Sequence, residues 1–189
     1  MATQNINVGK GLNPEIELFG DWNKALRMFD QLPVAVNTGY ELGSVRVAND
    51  IRRIVRKNIK SNGPPGVHWP ALSLAYQQFK KRKGGDTNKM WNFKGTYYKN
   101  IKVIHKKGAI YVGVPAYKRG TVHKSKNLTL GQIANILERG SAESGIRARP
   151  LWKPSFKEFG GKPKTQKVIV RAIRDHVFLL TGVRPRITF

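Results

Sequence analysis

Residues 45–63 read VRVANDIRRIVRKNIKSNG, and the periodicity of this stretch decides the fold. Val45, Ala48, Ile51, Ile54, Val55 and Ile59 recur at steps of three and four, which gathers apolar side chains on one side of an α-helix. Arg52, Arg53, Arg56, Lys57 and Lys60 fill the positions between, so the other side is cationic. A basic amphipathic helix can mark a membrane surface or a peptide target. The aliphatic side is read here as core. Gly63 is placed to cap the helix, and Gly63-Pro64-Pro65-Gly66 breaks the chain after it.

Toward the N-terminus the signals weaken. Residues 1–13 are polar and read as a flexible arm, without the basic and apolar regions of a secretory signal. Ile16 and Leu18 alternate with Glu15 and Glu17, as in a short strand. Asp21 then caps a helix with Trp22, Leu26 and Phe29 on one side, which Pro33 is expected to interrupt or restart.

Toward the C-terminus the elements follow at close intervals. Trp69-Pro70-Ala71-Leu72-Ser73 leads into a short helix with Ala75, Tyr76 and Phe79, closed by a basic loop, Lys80-Lys81-Arg82-Lys83 and two glycines. Residues 101–106 and 109–114 alternate as two strands about a Lys107-Gly108 turn, an antiparallel hairpin. A polar, basic loop occupies 115–128. Thr129 caps a helix with Gln132 in the capping-box position, and Gly140 stops it. Pro150 sets the first turn of a short helix carrying Leu151, Trp152 and Phe156. After Gly160-Gly161 a last helix runs from about Pro163 to Thr181, with Val168, Ala172, Ile173, His176, Val177 and Leu180 as its buried stripe. The expected fold is α+β: a small antiparallel sheet packed by two longer helices, in one domain over 14–182, with extended arms at 1–13 and 183–189.

Composition narrows the function. The 189 residues hold 35 Lys and Arg against 11 Asp and Glu, a net charge of +24. Residues 1–50 carry four basic and six acidic side chains, whereas 51–189 carry 31 and five. Solubility needs a net charge of only about 2–8. The excess implies a polyanionic neighbour: nucleic acid, an acidic protein surface or anionic lipid. Without cysteine there is no disulfide, thiol nucleophile or Cys-ligated zinc. Apolar runs stop near four residues, at Val177–Leu180, far short of the ~20 that span a bilayer.

No catalytic constellation is visible. His68, His105, His123 and His176 lack a partner at metal-ligand spacing. Glu15 and Glu17 form the closest carboxylate pair, and phosphate-loop, dinucleotide and nucleophile-elbow motifs are missing. No catalytic residue, metal ligand or cofactor is therefore expected. Gly63–Gly66 carries the letters of a GXXG clamp without its flanking pattern, so base-specific recognition is not expected either. Sequence-neutral phosphate contact needs only well-placed Lys and Arg.

The order of motifs is more informative than any one of them. Trp69-Pro70-Ala71-Leu72-Ser73, with Tyr76 and Lys80, is followed by Lys94-Gly95-Thr96 and a hairpin ending in Val112-Gly113. Ile136-Leu137-Glu138-Arg139-Gly140 and Ile146-Arg147-Ala148-Arg149-Pro150-Leu151 come next. This order resembles the head–tail joining proteins of tailed double-stranded DNA phages, known as neck, tail-completion or virion-morphogenesis proteins, over about residues 14–182. The resemblance departs at Lys94-Gly95-Thr96-Tyr97, where the family commonly has Thr-Gly before Leu, and in the long basic loop at 115–128. It implies a non-enzymatic virion protein, made in the host cytoplasm, that forms a ring at the head–tail junction as a tail-completion or tail-terminator component. Six copies are expected, with twelve as the alternative. Its neighbours would be connector or portal-side proteins, tail-tube proteins and packaged DNA, with no membrane. The rivals are a cellular, sequence-neutral nucleic-acid-binding protein and, more distantly, a small nuclease or toxin-like enzyme.

Candidate contact residues follow. Arg147, Arg149, Pro150 and Trp69 are candidates for a subunit or partner interface. Arg147 and Arg149 could equally clamp the preceding helix end, Glu138 included, and Trp69 could be core. Lys80, Lys81, Arg82, Lys83, Lys118, Arg119, Lys124 and Lys126 are candidates for contact with DNA or an acidic ring.

Overall fold

The stretch from Val45 to Lys60 is helical, and the helix extends back to Trp22 without a break. The structure, a computed structural model, describes residues 21–91, 95–106, 108–115 and 128–182, with the side chains of Trp22 and Lys24 excepted. The strand read at residues 15–18, both terminal arms and the loop cations Lys118, Arg119, Lys124 and Lys126 lie outside the described residues. Eight elements follow one another: α1 (Trp22–Lys60), α2 (Leu74–Arg82), α3 (Thr96–Asn100), β1 (Lys102–Lys106), β2 (Ala109–Gly113), α4 (Leu130–Arg139), α5 (Trp152–Phe159) and α6 (Gly161–Thr181). The architecture is α+β, with the two long helices and a two-stranded antiparallel sheet as its main parts.

Pro33 was expected to interrupt α1 and does not. Proline forfeits one amide and crowds the carbonyl four residues back. Packing against α6 holds the helix together just beyond it. Ala35 is fully buried, and Gly39 and Gly43 continue its row at four-residue steps. At Gly39 a Cβ would stand 2.6 Å from the Ile173 Cα, and at Gly43 one would stand 2.7 Å from the Ile169 Cα. Only glycine lets the two backbones come this close. On the other sides of this half of α1, Leu26, Phe29, Leu32, Val34, Val36, Tyr40 and Leu42 are exposed. Leu26 and Phe29 therefore do not form the packed face that their spacing suggested.

The second half of α1 behaves as its periodicity requires. Ala48, Val55 and Ile59 are buried, and Val45, Ile51 and Ile54 half-buried. The helix ends on Asn62, not Gly63: Asn62 takes the left-handed conformation, at φ 59°. The Asn62 amide donates to the Ile59 carbonyl at 3.4 Å and the Gly63 amide to the Asn58 carbonyl at 2.8 Å. This is the paired-bond helix ending that left-handed Asn supports nearly as well as Gly.

The hairpin pairs Val103 with Val112 and His105 with Ile110, as the alternation required. Thr129 and Gln132 form the full capping box at the start of α4. Gly160, left-handed at φ 110°, ends α5 and also caps α6. Pro150 precedes the N-cap Leu151, so it stands outside α5 rather than in its first turn. On α6, Leu180 is exposed and Thr181 takes the buried position, one turn after buried Val177. The core gathers Val55 and Ile59 of α1 with Trp69, Trp91, Tyr97, Ile101, Ala134 and Leu151.

Candidate functional site

Two parts of the molecule concentrate chemistry. The first is a clasp built on Arg149-Pro150. The Arg149 guanidinium donates through Nε to the Pro70 carbonyl at 3.1 Å and through Nη2 to the Ala71 carbonyl at 3.3 Å. Its third bond goes to the Arg147 carbonyl at 3.3 Å. Two indoles bind the same segment. Trp91 Nε1 donates to the Arg149 carbonyl at 3.2 Å and Trp69 Nε1 to the Pro150 carbonyl at 2.9 Å. The two indole rings lie 5.9 Å apart, and Trp91 meets Tyr97 edge-on at 4.9 Å. Glu138 accepts the Leu151 amide at 2.7 Å and the Trp152 amide at 3.3 Å, covering the first amides of α5. The Arg149 amide closes on the Leu137 carbonyl at 2.7 Å.

A buried guanidinium survives when its charge is shared among acceptors of fixed geometry. Here those acceptors are backbone carbonyls. Burial lowers the Arg149 guanidinium from its ordinary value, and the Tyr76 hydroxyl nearby acts the other way. Burial raises that hydroxyl in turn, with the Arg149 charge opposing.

The second part is an open groove of about 920 Å³ along the outer side of α1. Arg52, Arg53, Arg56, Lys57 and Lys60 line it, with Asn49, Asp50, Ser61 and Tyr98. Arg52, Arg56 and Lys60 follow one row of the helix at four-residue steps, and Arg53 and Lys57 form a parallel row. The Arg56 guanidinium carbon stands over the Tyr98 ring at 5.3 Å and Lys60 Nζ at 5.1 Å. Arg56 Nη2 also donates to the Ile101 carbonyl at 3.0 Å, tying the helix to the start of β1. Two carboxylates face the cations: Asp50 accepts Arg53 Nη2 at 2.9 Å and Glu158 accepts Lys57 Nζ at 3.3 Å.

The residues singled out in the sequence are distributed differently from the expectation. Trp69 and Arg149 are buried in the clasp and satisfied within the chain, so neither presents a side chain to a neighbour. The Arg149 guanidinium is held within the chain, but it does not clamp the preceding helix end: it grips Pro70 and Ala71 before α2, and Glu138 serves α5 instead. Pro150 is half-buried and its carbonyl is taken by Trp69, whereas Arg147 is exposed. Lys80 does not offer its side chain to DNA or an acidic ring. It lies in the last turn of α2, not in a loop, and is fully buried, with Nζ donating to the Lys89 carbonyl. Burial lowers its pKa, with Asp86 opposing. Lys81, Arg82 and Lys83 are exposed at the end of the same helix.

The groove cations were visible in the sequence as the outer side of a helix, without being assigned a contact. The signal was their one-turn spacing. Trp91 and Tyr98 had no such signal, because their positions depend on parts of the chain distant in sequence. Among the described residues no group of three His, Asp or Glu is placed to hold a metal ion. No helix among them is long and apolar enough to cross a membrane. Comparison with protein-family models, with the sequences of known proteins and with solved structures finds no match.

Proposed function

We propose that this chain is a structural virion protein that forms a ring at the head–tail junction of a tailed phage and joins the tail to the DNA-filled capsid. One observation carries the reading. Three of the motifs whose order gives the resemblance are parts of one physical unit: Trp69-Pro70-Ala71, Leu137-Glu138 and Arg149-Pro150-Leu151 meet in the clasp through five of its hydrogen bonds. A shared order of short motifs has more weight when the motifs depend on one another for their geometry.

Two further features favour assembly. The first half of α1 and the end of α6 expose large apolar side chains, Phe29, Tyr40 and Leu179 among them. The first half of α1 lies in residues 1–50, where the chain is not basic, which is where copies of a +24 protein can approach each other most easily. Neighbours in the ring would be connector or portal-side proteins and tail-tube proteins, with the charge compensated by packaged DNA or acidic rings. The cationic groove also favours the second reading, a cellular, sequence-neutral nucleic-acid-binding protein.

Mass measurement in solution, at low and moderate salt and with and without duplex DNA, separates the two. Rings of six or twelve copies that form without DNA support the virion reading. A monomer that binds DNA with a steep salt dependence supports the second. Imaging of purified particles gives the stronger test, and absence of the chain from them would overturn the virion reading.

A further inference from the structure

We infer that the groove along Arg52, Arg56 and Lys60 is a binding site for the phosphate backbone of duplex nucleic acid, read without regard to base sequence. The inference goes beyond the ring reading, since the groove can hold a duplex whether or not the chain assembles. Three observations lead to it.

The first is the spacing of charge. From Arg52 to Lys60 the helix rises about 12 Å. A duplex strand carries one phosphate per about 3.4 Å of axis, so the row spans about three phosphates of one strand. The second is the composition of the groove. Five cations and one carboxylate, Asp50, line it; Asp50 holds Arg53, and Glu158, outside the lining, holds Lys57. Arg52 and Lys60 have no carboxylate among the ion pairs of the described residues. The third is what the groove lacks. A protein partner is held by an apolar centre with a polar rim. Apart from Tyr98 the lining is charged or polar, and Arg56 and Lys60 already stand over the Tyr98 ring. That ring is therefore engaged by cations and offers no free platform for an unpaired base, which distinguishes this groove from a single-strand site.

Arg56 and Lys57 are left unchanged in the test because both hold the fold, through the Ile101 carbonyl and Glu158. The groove variant is Arg52→Gln, Arg53→Gln and Lys60→Gln together. Its control removes equal charge elsewhere: Lys81→Gln, Arg82→Gln and Lys83→Gln at the exposed end of α2. Affinity for a 20-base-pair DNA duplex is measured by anisotropy in the full chain from 50 to 200 mM salt, and thermal unfolding verifies that both variants fold.

Because Arg53 is already held by Asp50, the loss of the two row cations Arg52 and Lys60 should lower the steepness of log K against log salt by about 2, and lower affinity at least about tenfold at 100 mM salt. The control should lower the steepness by less than about 1. Two duplexes of unrelated sequence should bind within about twofold of each other. Equal losses in the two variants would reduce the effect to overall charge and overturn the site. Failure of the parent chain to bind duplex at 50 mM salt would do the same. So would tighter binding to single strands, to a poly-glutamate peptide of matched charge or to phosphatidylglycerol vesicles than to duplex, if the groove variant abolished it.

Discussion

The two halves of α1 are held in opposite ways. From Val45 onward the helix is anchored by volume: Val55 and Ile59 fit among Trp69, Trp91 and Tyr97, and side-chain contact supplies the stabilisation. Before Val45 it is anchored by proximity. Ala35, Gly39 and Gly43 bring its backbone against α6, and large side chains are left outside. A volume contact is lost gradually as atoms are removed. A backbone contact fails when atoms are added, because neither helix axis can give way locally. The same element therefore has one half sensitive to truncation and one sensitive to enlargement.

The comparison can be broken most severely in the volume-anchored half. Trp91→Ala should cost about 3–5 kcal/mol by chemical denaturation, as expected for a large aromatic lost from a core. It also leaves the Arg149 carbonyl without its indole donor. Arg149→Met should cost somewhat less, about 2–4 kcal/mol, because it strips the Pro70 and Ala71 carbonyls of a charged donor. The same denaturation measurement reads it. A loss under 1 kcal/mol from either would mean that the clasp contributes little to stability.

Gly39→Ala tests the other half and should cost about 1–3 kcal/mol. Hydrogen exchange locates the effect: amides around residues 35–43 and 169–177 should lose protection while those near Trp91 keep theirs. Equal loss in both regions would show that the two halves unfold as one unit. At high pH the aromatic half has a further weakness. Burial raises the Tyr97 hydroxyl well above its ordinary 10.0, so the folded state holds the proton after the unfolded chain has released it. Its contribution is complete below about pH 10 and declines as the pH rises further. Tyr76 acts in the same direction, whereas Lys80, lowered by burial, acts in the opposite one. Tyr97→Phe should flatten the alkaline fall in melting temperature, and an unchanged profile would remove Tyr97 from the account. The smallest effect is expected from Leu179→Ser on the exposed side of α6, within about 0.5 kcal/mol in the isolated chain.

Legibility in the sequence followed the range of the forces involved. The capping box of Thr129 and Gln132, the hairpin register and the apolar stripe of Val55 and Ile59 are local, and each was readable within a few residues. Pro33 reads as a break because its penalty is local, while the packing that offsets it comes from Ile169 and Ile173, more than 130 residues away. Gly39 and Gly43 read as weak helix formers until the backbone beside them is known. Lys80 looked like one more member of a basic run. The Lys89 carbonyl and the turn between them bury it. Arg149 reads as a clamp or a contact, and its target lies at Pro70, beyond the reach of any periodicity argument.

The continuity of α1 through Pro33 has a mechanical consequence. A helix of 39 residues has a contour of about 58 Å, and this one joins an apolar arm to the aromatic cluster without a joint between them. A load applied near Trp22 would meet the backbone contact of Gly39 and Gly43 with α6 before it reached Val55 and Ile59, and the turn ahead of that contact is the one in which Pro33 leaves the Phe29 carbonyl without its usual amide.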